Sequence, residues 1–598
     1  MSIQNSYLAQ SKYGYDTVVA VTQKALNNAI ETYYSDSTTF TPVTFYFIKD
    51  GSGNAQSIQK ADLLKLTNNI DPLSPTVSVA QQKTLSTSQF YFAFSFTIGN
   101  PQNYLLTNYL TLKPGSNSVR YSLLCFQLQV AFWNPDNKTW VDIKQTLAKE
   151  FNIFADINLV NVLNNKTSNS SVLAAIAALG GTGLNIQQLI FDLDSAVVDP
   201  TSTLTGIDST CSVFTPLMQQ FANAYFSTYT SQSGALNYAI TSENTASLVP
   251  TAMDWFIGPF VDGSGNAISS PTVDQQDLTT LNYVFSVNGD KLPASASHFI
   301  IPGFHLPYLH FTRTPFNWNW LEDNGSSHNP DLDTNADVNK YDGAISINRD
   351  AFAKYLDNQL KSYVKQNWFI PIVTANYTDL GKKDNADVFQ VNTQNIESIP
   401  DGFQVYNGDS SSNQSDKLVS WSNQQSVTAN GKVNPANYMK VINSFSLDFS
   451  VCAGQGTLSQ TLEIYVEEVY NDKAYGGLAI FIHSYDVFNL VLDDHGNLMF
   501  QKDTDQSTLD NTPHNITLYG EDNGWLQTWL QAVTATSFEE LPVSLPQQFV
   551  FPGGNAFTFQ DAQFANNSDL VCHFTYKAES NSLSQSKTMG TQKSMSLV

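Results

Sequence analysis

Charge is scarce in this 598-residue chain: Asp, Glu, Lys and Arg together make up 14% of it, against roughly 25% in an average globular protein. Arginine is scarcest, at Arg120, Arg313 and Arg349 alone, which leaves few planar forks for bidentate grip on phosphate or carboxylate. Acidic residues outnumber basic ones 53 to 29, a formal net charge of −24. A chain of that balance has no basic footprint for nucleic acid or for an anionic membrane surface. Its acidity is read as colloidal solubility. Cysteine is nearly absent, and Cys125, Cys211, Cys452 and Cys572 are too far apart for a zinc or redox motif, so buried free thiols are expected. No stretch approaches the roughly 18 apolar residues of a membrane-crossing helix. The start, Met1-Ser-Ile-Gln-Asn-Ser-Tyr7, has neither a basic region nor an apolar run. The expectation is a soluble protein, cytoplasmic as synthesised, with leaderless release open.

Catalytic signatures are missing too. There is no Gly-x-Ser-x-Gly elbow, no His-Glu-x-x-His pair and no phosphate loop. His305 and His310 fall on opposite faces of a strand, so they ligate one metal poorly. Glu463, Glu467 and Glu468 lie in a strand where two of them share a polar face, which reads as a solvated surface. The run Asp331, Asp333, Asn335, Asp337, Asn339 and Asp342 spaces oxygen ligands as a calcium loop does. Ala336 replaces the glycine such a loop wants at position six, and position twelve offers only a short Asp. A hydrated linker is the preferred reading. No enzyme and no cofactor is expected.

What is present is ring surface: 38 Phe, 27 Tyr and 9 Trp, or 12% of the chain, enough to build a sizeable core. Much of it alternates. Phe90, Phe92, Phe94, Phe96 and Ile98 are interleaved with Tyr91, Ala93, Ser95 and Thr97, and Phe445, Leu447, Phe449 and Val451 with Ser444 to Ser450. Period-two alternation with a polar opposite face predicts antiparallel strands, oily on one side and wet on the other. Shorter cases occur at Val43 to Phe47, Leu124 to Phe132, Leu462 to Val466 and Phe488 to Leu492.

Helical spacing predicts one long helix over about Asp16 to Tyr34 and another over about Asn348 to Trp368, the latter with Asn348 as its cap. Later helices are expected at Pro216 to Tyr229 and Gly524 to Thr534, and another near Ile143 to Leu163. Leu26, Ile30 and Tyr34 lie over Leu356, Leu360 and Val364 at an offset near 330, a weak internal repeat. Polar stretches at Gly402 to Ser420 and Gln424 to Asn437 read as inserted loops, and the Asn/Asp/Gly-rich segment Glu322 to Asp342 as the boundary between halves. The expected fold class is α+β, with domains at 1–340 and 341–578 and a polar tail at 579–598.

Tyr13-Gly-Tyr-Asp16 running into the first helix resembles the start of the clostridial accessory proteins encoded beside certain botulinum neurotoxins, and of their bacterial and fungal relatives. Ile186-Gln-Gln-Leu-Ile-Phe-Asp-Leu-Asp-Ser-Ala196, Ile347-Asn-Arg-Asp-Ala-Phe352, Phe551-Pro-Gly-Gly-Asn-Ala-Phe-Thr-Phe559 and Asp569-Leu-Val-Cys-His-Phe-Thr-Tyr576 are similar to that family as well, in order along nearly the whole chain. The resemblance implies two tubular lipid-binding (TULIP-like) domains, each a long helix wrapped by a highly curved antiparallel sheet. It implies no catalytic residues, and it implies binding of a lipid or another apolar ligand, with a role beside toxins.

The lining expected for such a ligand is Val19, Leu26, Phe92, Phe94, Phe96, Leu356, Leu360, Phe445, Leu447 and Phe449, and ordinary core is the competing reading for each. Partners expected are a lipid or apolar small molecule and a toxin-type protein, not nucleic acid. The alternatives are an interaction component of an insecticidal or neurotoxin-type complex and a self-assembling structural or storage protein with a filled core.

Overall fold

The computed structural model describes residues 8, 15–34, 40–99, 108–116, 118–146, 151–161, 189–233, 237–238, 248, 250–258, 268–277, 279–287, 342–378, 386–396, 398, 404–405, 416–452, 454–492, 498–519, 524–535, 557–565 and 568–576. The linker 322–341, His305, His310 and the tail 579–598 lie outside them.

The expected fold class is corrected. Among the described residues strands dominate, arranged in six antiparallel sheets, and neither half is a long helix wrapped by a sheet. The first expected helix shows why. Thr17–Thr22 is a strand and only Gln23–Tyr34 is helical. Five of those six strand residues (Thr17, Val18, Val19, Val21, Thr22) are β-branched, stiff at χ1 and suited to a pleated surface. All six are buried, with a partner strand on each side. Pairing on both edges outweighs an apolar stripe that also fits helical spacing. Asp16, the first residue of the expected helix, instead accepts the Val287 N–H at 2.8 Å beside the strand.

The helix expected after Asn348 does form, over Arg349–Asn367. The Asn348 Oδ1 accepts the Asp350 N–H at 2.8 Å as an N-cap, while its Nδ2 donates to the Tyr15 carbonyl at 2.9 Å. Phe214–Ser233 and Gly524–Ala535 are helices as expected. The segment near Ile143 to Leu163 is not: it holds the strands Thr139–Lys144, Phe151–Asn152 and Phe154–Asn161. Gln424 to Asn430, read as loop, completes the strand Lys417–Asn430, whose polar residues sit on an edge-proximal, half-wet sheet surface.

A central six-stranded sheet runs Pro250–Gly258, Thr280–Val287, Thr17–Thr22, Gly343–Ile347, Leu570–Tyr576, Phe557–Phe564. Its order is symmetric about the middle: a pair, a single strand, a single strand, a pair. The two single strands lie antiparallel with Val19 opposite Ile345, and each leads into a helix. Thus strands from both sides of the segment 322–341 share one sheet. Gly343 is required there, since a Cβ would sit 2.2 Å from the Ala20 carbonyl oxygen and 2.4 Å from the Phe574 ring.

Two further large sheets carry most of the alternating segments. One is Ala55–Ile58, Val43–Lys49, Phe90–Ile98, Cys125–Asn134, Thr139–Lys144. The other is a meander of long strands, Lys417–Asn430, Tyr438–Cys452, Gln455–Tyr470, Lys473–Leu492 and Leu498–Pro513, with Gln404–Val405 on its edge. In Tyr438–Cys452 buried and half-buried residues alternate along the strand, as the sequence pattern requires. Bulges break the rule elsewhere. Between Phe47 and Ile48 the register slips past Tyr91, so Phe90 joins Tyr46, Leu63, Leu85 and Ala93 on the opposite face from Phe92. A second slip, at Thr97/Ile98, leaves Phe126 exposed.

Candidate functional site

The long meander makes the site because its strands keep one apolar parity. Met439, Val441, Asn443, Phe445, Leu447, Phe449 and Val451 point to one face, as do Leu458, Gln460, Leu462, Ile464 and Val466 on the neighbouring strand. The helix Arg349–Asn367 lies against this face. Phe352 stacks near Phe500 at 6.3 Å, and Trp368, just past the helix, meets Trp421 edge-on at 5.7 Å and Phe445 at 6.2 Å. Beyond the helix the hairpin Phe369–Thr378 and Ala386–Asn395 packs over the strands Lys417–Asn430 and Tyr438–Cys452. The helix Gly524–Ala535 lies on that hairpin with Leu526, Trp529 and Leu530 inward.

All ten expected lining residues are buried and belong to one continuous apolar cluster. They do not share one wall. Phe445, Leu447 and Phe449 are on the meander and Leu356 and Leu360 on the helix against it. Phe92, Phe94 and Phe96 are on the other large sheet, and the rings facing Phe94 and Phe96 are Phe221 and Tyr225 of the helix Phe214–Ser233, at 5.2 to 5.9 Å. Val19 is in the central sheet and Leu26 in the short helix that follows. Of the calcium-loop residues, Asp331, Asp333, Asn335, Asp337 and Asn339 lie outside the described residues. Asp342 is engaged through its backbone, accepting from the Thr22 N–H at 3.0 Å and donating to the Phe574 carbonyl at 2.9 Å. Among the described residues no group of three or more His, Cys, Asp or Glu could hold a metal ion.

Polar groups on the apolar face were missed. Tyr363 Oη donates to Gln460 Oε1 at 2.9 Å, Gln460 Nε2 to Ser484 Oγ at 3.2 Å, Ser484 Oγ to Asp486 Oδ2 at 3.3 Å, and Lys502 Nζ pairs with Asp486 Oδ1 at 2.6 Å. Burial, then the nearby Asp486 carboxylate, push the Tyr363 phenol far above its ordinary range against the opposing pull of Gln460, so it stays a neutral donor. Glu468, at an inward position, accepts the Tyr519 N–H at 2.6 Å, and burial raises its carboxyl despite that bond. Glu463 and Glu467 share the outer, wetter face, as the sequence implied. Cys452 is exposed, unlike the other three cysteines, which are buried.

A second set of buried polar groups surrounds Phe369. Asn443 Nδ2 donates to the Phe369 carbonyl at 2.9 Å. The Asn443 Oδ1, the Trp368 indole N–H and the Trp529 indole N–H are buried without a hydrogen-bond partner among the described residues. A signal for Asn443 and Gln460 was present in the sequence: each is a polar residue at the apolar parity of its strand.

No family model matches the chain, and no curated protein matches it. Solved structures similar to it include P47 from Clostridium botulinum A2, at 11% identity and a TM-score of 0.37 over 94% of this chain and 98% of that one. P47 of Clostridium botulinum E1 follows at 11% and 0.36, covering 96% of this chain and 100% of its own. A lipopolysaccharide binding protein is similar at 10% and 0.30, covering 95% and 100%. Overlap at that level fixes no activity.

Proposed function

We propose that this chain is a non-enzymatic protein that takes up a lipid or another apolar molecule against the inner face of the long meander. The observation that carries the reading is a mismatch of lengths. The strands from Lys417 to Pro513 have 14, 15, 16, 20 and 16 residues, on the order of 50 Å at about 3.3 Å per residue. The helix on them has 19 residues, about 28 Å at 1.5 Å each. The remaining apolar surface is closed by two further pieces of chain, the Phe369–Thr378/Ala386–Asn395 hairpin and the Gly524–Ala535 helix. An interior closed by separate covers has seams. An acyl chain can enter along a seam without breaking any ladder hydrogen bond of the sheet.

The mechanism is burial. Each methylene removed from water gains about 0.8 kcal/mol, so holding a chain needs no titratable group in contact with it. Lipopolysaccharide binding is the named property of one solved neighbour, and for this chain the reading rests on the sheet and its covers. A toxin-accessory role belongs to the same proposal as the setting in which such binding would act.

Titration of the full chain with a fluorescent fatty-acid analogue, followed by displacement with the unlabelled acid, tests the proposal. Saturable binding that the unlabelled acid reverses is expected. A signal that rises without saturation, or none at all, rejects it.

A further inference from the structure

We infer that Trp368, Asn443 and Trp529 form the polar end of this ligand's site, and that it receives a neutral head that both donates and accepts hydrogen bonds, a protonated carboxylic acid or a primary alcohol on a long apolar chain. The inference rests on the apolar-ligand reading above.

The three side chains meet around Phe369. Trp368 precedes it, with ring centroids 6.4 Å apart, and Trp529 stands edge-on to it at 6.3 Å. Asn443 is tied to its carbonyl through Nδ2 at 2.9 Å. That bond settles the amide's orientation, because a carbonyl can only accept. Among the described residues Oδ1 is therefore the free end, an acceptor without a donor, and the Trp368 and Trp529 indole N–H groups are donors without an acceptor. Asn443 is fully buried, Trp368 is 1% exposed and Trp529 is 9% exposed. Buried polar atoms in native proteins are nearly always paired, and the neighbouring chain from Tyr363 to Lys502 is paired throughout. Three orphaned atoms around one residue mark a place where something else supplies the partners.

The donor set selects the head. Two N–H groups call for an acceptor oxygen, and Asn443 Oδ1 calls for an O–H. A carboxylate anion offers no donor, and none of the three residues carries a positive charge to hold it. A methyl ester satisfies the indoles but leaves Oδ1 unpaired, and a hydrocarbon satisfies nothing. A carboxylic acid or an alcohol does both. Trp421, Phe445, Leu526 and Leu530 supply the apolar surroundings.

The test uses the full chain labelled with 15N at its tryptophan indoles, the resonances of Trp368 and Trp529 being assigned with Trp368→Phe and Trp529→Phe. Dodecanoic acid, dodecanol, methyl dodecanoate and dodecane are titrated separately. Both indole signals are expected to shift with the acid and the alcohol, and these two to bind about tenfold more tightly than the ester, an ordinary return for one added hydrogen bond, and by a wider margin than that over the hydrocarbon. Trp529→Phe, which keeps a smaller aromatic ring and loses the N–H, is expected to narrow the preference over dodecane about tenfold while dodecane still binds, and to leave in place the preference over the ester, which rests on Asn443 Oδ1. Equal binding of all four, with the indole signals unmoved, overturns the polar-end assignment and leaves the apolar reading standing. Indoles held by a long-lived water that the acid does not displace overturn it likewise. If none of the four binds, the apolar reading itself fails and this assignment with it.

Discussion

Asn443 and Phe369 join the first strand of the hairpin to the middle of the meander through a single buried bond, amide Nδ2 to backbone carbonyl at 2.9 Å. Phe369 also pairs with Asn395 in its hairpin. The amide therefore pins a cover to the surface it covers. Asn443→Leu keeps the side-chain size but strands the Phe369 carbonyl. An unmade buried bond of this kind costs about 1–3 kcal/mol, and the variant is expected to unfold at correspondingly lower urea or temperature.

Gly343 sits where the two single strands of the central sheet meet. Gly343→Ala would press a methyl group onto the Ala20 carbonyl oxygen and the Phe574 ring. Backbone cannot yield there without parting Thr17–Thr22 from Gly343–Ile347. A loss of about 3 kcal/mol is expected, at the upper end of overpacking costs. Thermal unfolding measures it, and an unchanged midpoint would show that the strands are not packed as described.

Glu468 gives a signed pH dependence. Its carboxyl is raised mainly by burial, so the folded chain holds a proton that the unfolded chain has released. Stability therefore falls as pH rises from the ordinary glutamate range, about 4.3, to the raised folded value, and stays lower above it. Glu468→Gln removes the charge that burial penalises. The variant is expected to match the parent at acidic pH and to be the more stable of the two at neutral pH, read from unfolding midpoints across pH 4 to 8.

Asp387 has the opposite sign. Burial pushes its carboxyl upward, but the N–H groups of Val433 at 2.6 Å and Asn434 at 3.1 Å, with Asn437 Nδ2 at 2.9 Å, outweigh that and hold it below the usual range. Its contribution is present above the ordinary aspartate value, about 3.9, and is lost as pH falls through the lower folded value. Asp387→Asn is expected to lose about 1–3 kcal/mol at neutral pH, with the difference from the parent shrinking under acid. Chemical denaturation at neutral and low pH checks both halves.

The strands were legible because alternation is a local signal. Phe90–Ile98 has the bounds that its pattern drew, and Tyr438–Cys452 extends the one read from Ser444 to Val451. Thr17–Thr22 was not legible as a strand. Its two partners lie more than 250 residues away on one side and more than 300 on the other, and only those partners decide between helix and sheet. Phe126 and Phe90 were misplaced for a related reason: a bulge changes parity, and nothing in a single strand announces one. The overall architecture failed with them, because a helix expected over Asp16 to Tyr34 is the element around which a sheet would have curved. The polar residues of the site were half legible. Asn443 and Gln460 break their strands' apolar parity in plain view, whereas nothing in the sequence sets Trp368 and Trp529 apart from the other tryptophans, since the fold around an indole decides whether its N–H is paired.

Uptake of an apolar molecule is tested most directly by extracting the chain, purified without detergent from its native source, into organic solvent and identifying the extract by mass spectrometry. The account predicts one class of long-chain compound, near one molecule per chain, ending in a carboxyl or hydroxyl group. An extract with no such compound, from protein that also fails to bind an added fatty acid, contradicts it.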